Sequence, residues 1–167
     1  RYAARGHPPL KELEDNVAAG PFLAMAGLNG LDMSHVAASA IEPEDMLPAI
    51  AQGAIGIERR ADDMSTAALL EAIHDGPTGQ RLNAERAFLA ALDGSCETPI
   101  AGLADLDGNT IRLRGEVLRP DGCESLRDDQ TAPIEDGAAL GEGMAKYLLE
   151  RGGPGFLARR RQPRRTV

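Results

Sequence analysis

Apolar positions in this chain come in short runs punctuated by Gly and Pro, and their spacing predicts alternating helices and strands. PPLKELEDNVAAG at 8–20 has Pro at its start and Gly20 at its end, the signature of a short helix. PFLAMAGL at 21–28 is a compact apolar run, the pattern of a buried strand entering a turn. Ser34 suits the cap of a second short helix running to Ala40. In LPAIAQGAIGIERR at 47–60, Pro48 and Gly53 break the run and AIGIE reads as a buried strand. ADDMSTAALLEAIHD then reads as an amphipathic helix, with Leu69, Leu70 and Ile73 at helical spacing. Gly76 and Pro77 interrupt the pattern and mark a domain boundary.

A second unit begins at Gly79. LNAERAFLAALDGS places Ala84, Ala87, Phe88, Ala91 and Leu92 on one helical face, with Gly94 as its stop. TPIAGLADLDGNTIRLRGEVLRPDG reads as strands around turns, a hairpin at Asp107-Gly108-Asn109 and a second turn at Asp121-Gly122. In TIRLRGEV, Ile111, Leu113 and Val117 face one way and Arg112 and Arg114 the other. A closing helix, roughly 136–151, buries Leu140, Met144, Tyr147 and Leu148. This half is a small α+β domain, and the strand-helix alternation before it suggests an α/β layer.

Composition narrows the picture. The 167 residues have no Trp and few aromatics, so the core is aliphatic. A formal charge of −8 argues against general binding to nucleic acid or anionic membrane. The exception is a cluster of Arg159, Arg160, Arg161, Arg164 and Arg165, which reads as a solvated basic tail, with a nucleic-acid or lipid contact as the sharper alternative. Two cysteines and three scattered histidines supply neither a disulfide framework nor a metal site. No apolar run is long enough to span a bilayer and no signal peptide is visible, so a reducing cytoplasm is expected. The first residue is Arg1 rather than Met, as expected of a chain starting part-way through a longer protein.

Cys96 taken alone is a small buried hydrophobe. It follows the C-terminal end of a helix and neighbours Glu97, and neither favours a thiolate. Its surroundings are more specific. AERAFLAALDGSCETPIAG, with LPAIAQGAIGIERR upstream, closely resembles two signatures of the porphobilinogen deaminase (hydroxymethylbilane synthase) family. FLAMAGL resembles that family's apolar strand before a substrate-facing turn. Arg5-Gly6 resembles its R-G-N element, and LRGEV and the closing helix match in order.

The resemblance implies an enzyme of tetrapyrrole and haem biosynthesis that joins four porphobilinogen units head to tail, losing ammonia each time. Hydrolysis then releases hydroxymethylbilane. It implies a dipyrromethane cofactor held by a thioether to Cys96, a bond that survives repeated condensation where an ester would hydrolyse. The azafulvene-like electrophile needs no strongly activated thiolate. Arg5, Gln52 and the backbone around Ala24, Gly27 and Ala54 match family positions lining the cofactor cleft. Guanidinium there suits the acetate and propionate side chains of the pyrroles. Metal ligands are not implied.

The implied architecture is part of a periplasmic-binding-protein-like α/β domain followed by a small α+β domain. Residues 1–53 would be the partial second domain, and 54–75 a strand and helix returning to a first domain this chain largely lacks. Residues 76–161 would be the cofactor-anchoring domain and 162–167 the basic tail. The family's catalytic aspartate belongs to the first domain, and Asp15, Asp62 and Asp105 are not its substitutes. A monomer is expected for the full-length family, with an N-terminal partner piece as an option here.

The match has departures. His7-Pro8-Pro9 shortens the segment after Arg5-Gly6, Gly30 stands where the family has arginine, and Ala51 where it commonly has glycine. Each lost arginine removes a charged hydrogen bond worth about 1.5–3 kcal/mol. A non-catalytic fragment or degenerate copy acting as a binding module is therefore the alternative function. An unrelated α/β protein with a structural cysteine is the third reading. Cys123 matches no family role.

Overall fold

The computed structural model describes residues 22–94 and 98–157. The chain divides into two units, Arg1–Glu42 and Pro43–Val167.

In the first unit, Ala24 opens a short helix, α1 (Met25–Gly30), and a single 3-10 turn follows at Ser34–Val36. The apolar run at 21–28 is thus helical from Met25 on and not the expected buried strand. Alternation and continuous apolar runs cannot separate a short helix from a buried strand by themselves. The Ser34 turn stops at Val36, short of the expected Ala40, and Ser34 makes no side-chain capping bond. The helix expected over 8–20 lies outside the described residues.

The second unit contains α2 (Met64–Glu71), α3 (Gly76–Ala91), three strands and α4 (Gly137–Gly152). Its sheet has the order β1 (Ile100–Asp107), β2 (Thr110–Leu118), β3 (Ser125–Pro133), antiparallel throughout. A two-residue turn, Gly108-Asn109, joins β1 to β2, with Gly108 at φ +57. A positive φ at that place matches the twist of the hairpin strands and favours glycine. β3 has only Leu126 and Ala132 as inward apolar residues, too few for its sequence to mark it in advance.

Alternation on the central strand works as expected: Ile111, Leu113 and Val117 are buried against the helices, and Arg112 is exposed on the opposite face. α3 and α4 cover the inner face, and Ala84, Phe88, Leu92, Ala104, Met144, Ala145, Leu148 and Phe156 complete the core. Leu140 packs on its edge, but Tyr147 does not join it and is 45% exposed with Arg151 stacked over its ring. Gly141 takes the place an apolar side chain would have had, because α4 passes so close to α3 there that only glycine fits.

Gly76-Pro77 follows a break in helix at 72–75 and itself opens α3: Pro77 occupies the first turn and the Asp75 carboxylate accepts from the Thr78 N–H at 3.3 Å. Residues 54–60 contain no strand. A strand needs a neighbour for its N–H and C=O groups, and none of the three described strands pairs with this segment. α2 forms where expected, capped by Asp63, yet buries no residue, and Leu69 and Ile73 stay exposed.

Candidate functional site

Cys96 and Arg5 lie outside the described residues, but both chain ends flanking Cys96 are defined. α3 stops in a Schellman motif: the Asp93 N–H donates to Ala90 O and the Gly94 N–H to Leu89 O, each at 3.1 Å. Asp93, not Gly94, takes the left-handed conformation, at φ +50. Gly94 has a different setting. A Cβ there would come within 2.5 Å of the Leu89 Cδ1 and 2.7 Å of the Ile100 Cδ1. The LDG of LDGSC is therefore a tight helix stop pressed onto the start of β1. On the far side, the Ile100 N–H donates to Thr98 O and the Leu118 N–H to Pro99 O, both at 2.9 Å. A cysteine between Gly94 and Thr98 is thus carried on a short span whose two flanks are tied to the core.

Gln52 and Ala54 sit in and just after a tight turn at Ile50–Gly53. The Gln52 N–H donates to Ala49 O at 3.0 Å and the Ala54 N–H to Ala51 O at 3.2 Å. Gly53 takes φ +80, and Ala51, where glycine was the expected residue, takes φ +59. The Gln52 side chain is exposed and Ala54 half-buried.

This turn is tied to α3 and β1 by a residue the sequence pattern did not single out. Glu85, one turn before Phe88 on α3, is only 5% exposed. One of its carboxylate oxygens accepts from the Ala51 N–H at 2.8 Å and the other from the Ala104 N–H at 2.9 Å. The Gly102 N–H donates to Pro48 O at 3.0 Å, and Ile50 packs against the core. Gly102 and Ala104 present their N–H groups on the side of β1 away from β2. Segment 48–51 and Glu85 therefore occupy what would be an open sheet edge. The available signal was an acidic residue i−3 from Phe88 and i−7 from Leu92, inside the apolar stripe. A charge there must find partners.

Ala24 and Gly27 belong to the first unit. Ala24 O accepts from the Gly27 N–H at 3.0 Å and from the Leu28 N–H at 3.2 Å, and both residues are exposed. Gly30, at the end of α1, has no atom within 4 Å of a would-be Cβ, so nothing steric explains the absence of a larger residue.

The outer face of the sheet carries charge in pairs. Arg114 bridges Asp105 at 2.7 Å and Glu44 at 2.9 Å. Arg112 binds Asp129, whose carboxyl it holds below the usual carboxylate range. Arg127 holds the buried Glu116 at 2.9 Å, and that bond raises the Arg127 guanidinium pKa. Cys123 is exposed on the β2–β3 turn, and hydrogen bonding to Asp121 pushes its thiol up, away from the reactive thiolate.

Fold and site together define an α/β protein whose C-terminal unit is a helix-backed antiparallel sheet, with Cys96 in the connection between helix and strand and a tight turn held by Glu85 at the edge of β1. Two family models match: "porphobilinogen deaminase, dipyromethane cofactor binding domain" over residues 5–68, and "porphobilinogen deaminase, C-terminal domain" over 80–150. The porphobilinogen deaminase of Paracoccus denitrificans is 61% identical over 142 residues, 85% of this chain and 45% of that protein. That of Nitrobacter hamburgensis is 44% identical over 147 residues, 88% of this chain and 46% of that protein. The chloroplastic porphobilinogen deaminase of Pisum sativum is 43% identical over 151 residues, 88% of this chain and 41% of that protein. The chain belongs to the porphobilinogen deaminase family, and it spans less than half the length of these relatives.

Proposed function

We propose that this chain is the cofactor-carrying portion of a porphobilinogen deaminase, which condenses four porphobilinogen units into hydroxymethylbilane with loss of one ammonia per condensation. The observation that carries this reading is the Glu85 clamp, because it joins the two sequence motifs of the family by hydrogen bonds. Cys96 is the tether. Its sulfur forms a thioether to the dipyrromethane, which supplies the primer pyrrole for chain growth. The flanks at Gly94 and Thr98–Ile100 are held by backbone hydrogen bonds, which supports a fixed base for the tether.

The donor chemistry of the described residues fits such a group. The N–H groups of Gly27, Gln52 and Ala54 are used in local turns. The exposed Gln52 amide is left to donate to an acetate or propionate. Arg5 adds a guanidinium for a bidentate carboxylate contact. The backbone around Ala24, Gly27 and Ala54 matches family positions that line the cofactor cleft. The catalytic aspartate belongs to the first domain of the family.

Residues 1–53 fit the partial second domain, of periplasmic-binding-protein-like form, 54–75 a segment returning to the first domain, 76–161 the anchoring domain and 162–167 a basic tail. Support for the returning segment comes from its exposed apolar residues: Ile55 at 95%, Ile57 at 58% and Leu69 at 75%. A single stretch with so much exposed aliphatic surface marks a contact with further protein. The working form is a cytoplasmic monomer, or this chain with an N-terminal piece.

Mass spectrometry of the purified protein tests the assignment. A dipyrromethane increment on the Cys96 peptide, lost in Cys96→Ser and retained in Cys123→Ser, is the expected result. An unmodified Cys96 would sink it. Gly30 favours a second reading, a non-catalytic binding module, because the family's arginine is absent although space for it exists. Protein that carries the adduct yet forms no linear tetrapyrrole from porphobilinogen would support that reading.

A further inference from the structure

We infer that Glu85 is a positioning residue: its buried carboxylate holds the strained Ile50–Gly53 turn, and with it Gln52, in fixed register with the helix that leads to Cys96. The inference rests on the proposed function for its ligand, but its geometry is independent of it.

Three observations meet at this carboxylate. It is 5% exposed, and each of its oxygens faces a backbone N–H, from Ala51 and Ala104. A buried charge is a costly way to fill a core, and an apolar side chain of similar volume commonly stabilises as well. Ala51 also takes φ +59, where its Cβ crowds the following carbonyl. Non-glycine residues persist there when the surroundings over-determine them, and the Ala51 N–H bond to Glu85 is a side-chain bond that Ala51 itself makes. Finally, the clamped turn contributes only Ile50 to the core while presenting an exposed Gln52. The clamp thus stabilises a polar presentation more than a packing interface. Gln52 is one residue from the clamped Ala51, and Cys96 lies eleven residues after Glu85 by their numbers, beyond the helix stop at Asp93.

Glu85→Gln tests this. The amide keeps one acceptor oxygen but turns an NH2 group toward the second N–H, so one of the two bonds is lost in either orientation. Amide hydrogen exchange at Ala51 or Ala104 in the unliganded protein should rise roughly tenfold or more, while core amides such as Leu113 stay protected. In adduct-bearing protein, the affinity for porphobilinogen measured by calorimetry should fall roughly tenfold. Adding Ala51→Gly should recover more affinity in the Glu85→Gln background than in the parent protein, because glycine holds φ +59 without the clamp. Equal effects of Ala51→Gly in both backgrounds, or unchanged exchange at both amides, would overturn the inference. Should Glu85→Gln fail to fold, Glu85→Asp takes its place: its carboxylate is one methylene too short to reach both N–H groups. Unchanged exchange at both Ala51 and Ala104 in that variant would overturn the inference equally. Absence of the adduct in the parent protein would defeat the functional reading alone, and the exchange measurements would still decide the clamp.

Discussion

Gly141→Ala probes the contact on which the second unit depends most. A methyl group at Gly141 would sit 2.3 Å from the Ala84 carbonyl oxygen and 2.8 Å from the Phe88 nitrogen. Both are backbone atoms of α3, so no rotamer change relieves the clash. The two helices must separate, and Phe88, Met144 and Leu148, all fully buried, lose contact with one another. Overpacking of this kind costs about 1–3 kcal/mol, and an unyielding backbone places it at the upper end. Alanine is favoured over glycine inside a helix by about 1 kcal/mol, which offsets part of the loss. The net expectation is a destabilisation of about 2 kcal/mol. Gly143→Ala, two residues along α4, is the control. Nothing lies within 4 Å of its would-be Cβ, so the propensity gain of up to about 1 kcal/mol should appear undiminished. Urea denaturation followed by far-ultraviolet circular dichroism measures both, with similar slopes expected for the two variants. The reasoning fails if Gly141→Ala is as stable as the parent, or if Gly143→Ala loses as much as Gly141→Ala.

Arg127→Ala should leave the Glu116 carboxylate, 5% exposed on the central strand, without its 2.9 Å partner, at a cost of about 1–3 kcal/mol. Glu116→Gln added to it should restore part of that loss in the same urea titration, and no recovery would show the charge to be irrelevant. Acid should weaken the helix starts. Thr66 and Ser65 hydrogen bonds lower the Asp63 pKa, and the Thr78 hydroxyl lowers that of Asp75. Because folding depresses these carboxyl pKa values, their stabilisation is full above the ordinary carboxylate value near 4 and is lost as pH falls through the lower folded value. Thermal midpoints followed from pH 6 downward should therefore drop below about pH 4. The drop should be shallower in Asp75→Asn, whose cap does not titrate, and an equally steep decline would remove Asp75 from the explanation.

Much of the second unit was legible in the amino-acid sequence, because the signals there are local. The two-residue turn after Asp107, the in-out alternation of Ile111, Arg112 and Leu113, and the apolar face of Ala84, Phe88 and Leu92 each follow from backbone geometry within a few residues. The cysteine motif was equally plain, since its residue types are specific even where its chemistry is not. Tertiary structure decided what depends on a partner distant in sequence. Residues 54–60 have strand composition, but none of the described strands pairs with them. Met25–Gly30 had an apolar pattern that suits either helix or strand, and it took the helix. Gly94 looked like a stop signal, yet the left-handed residue is Asp93, and Gly94 instead sits where the Leu89 and Ile100 side chains crowd in. Glu85 shows the same limit in the site itself. Alone it is an acid misplaced on an apolar helix face, and only the fold brings the N–H groups of Ala51 and Ala104 to it, from 34 residues before and 19 residues after.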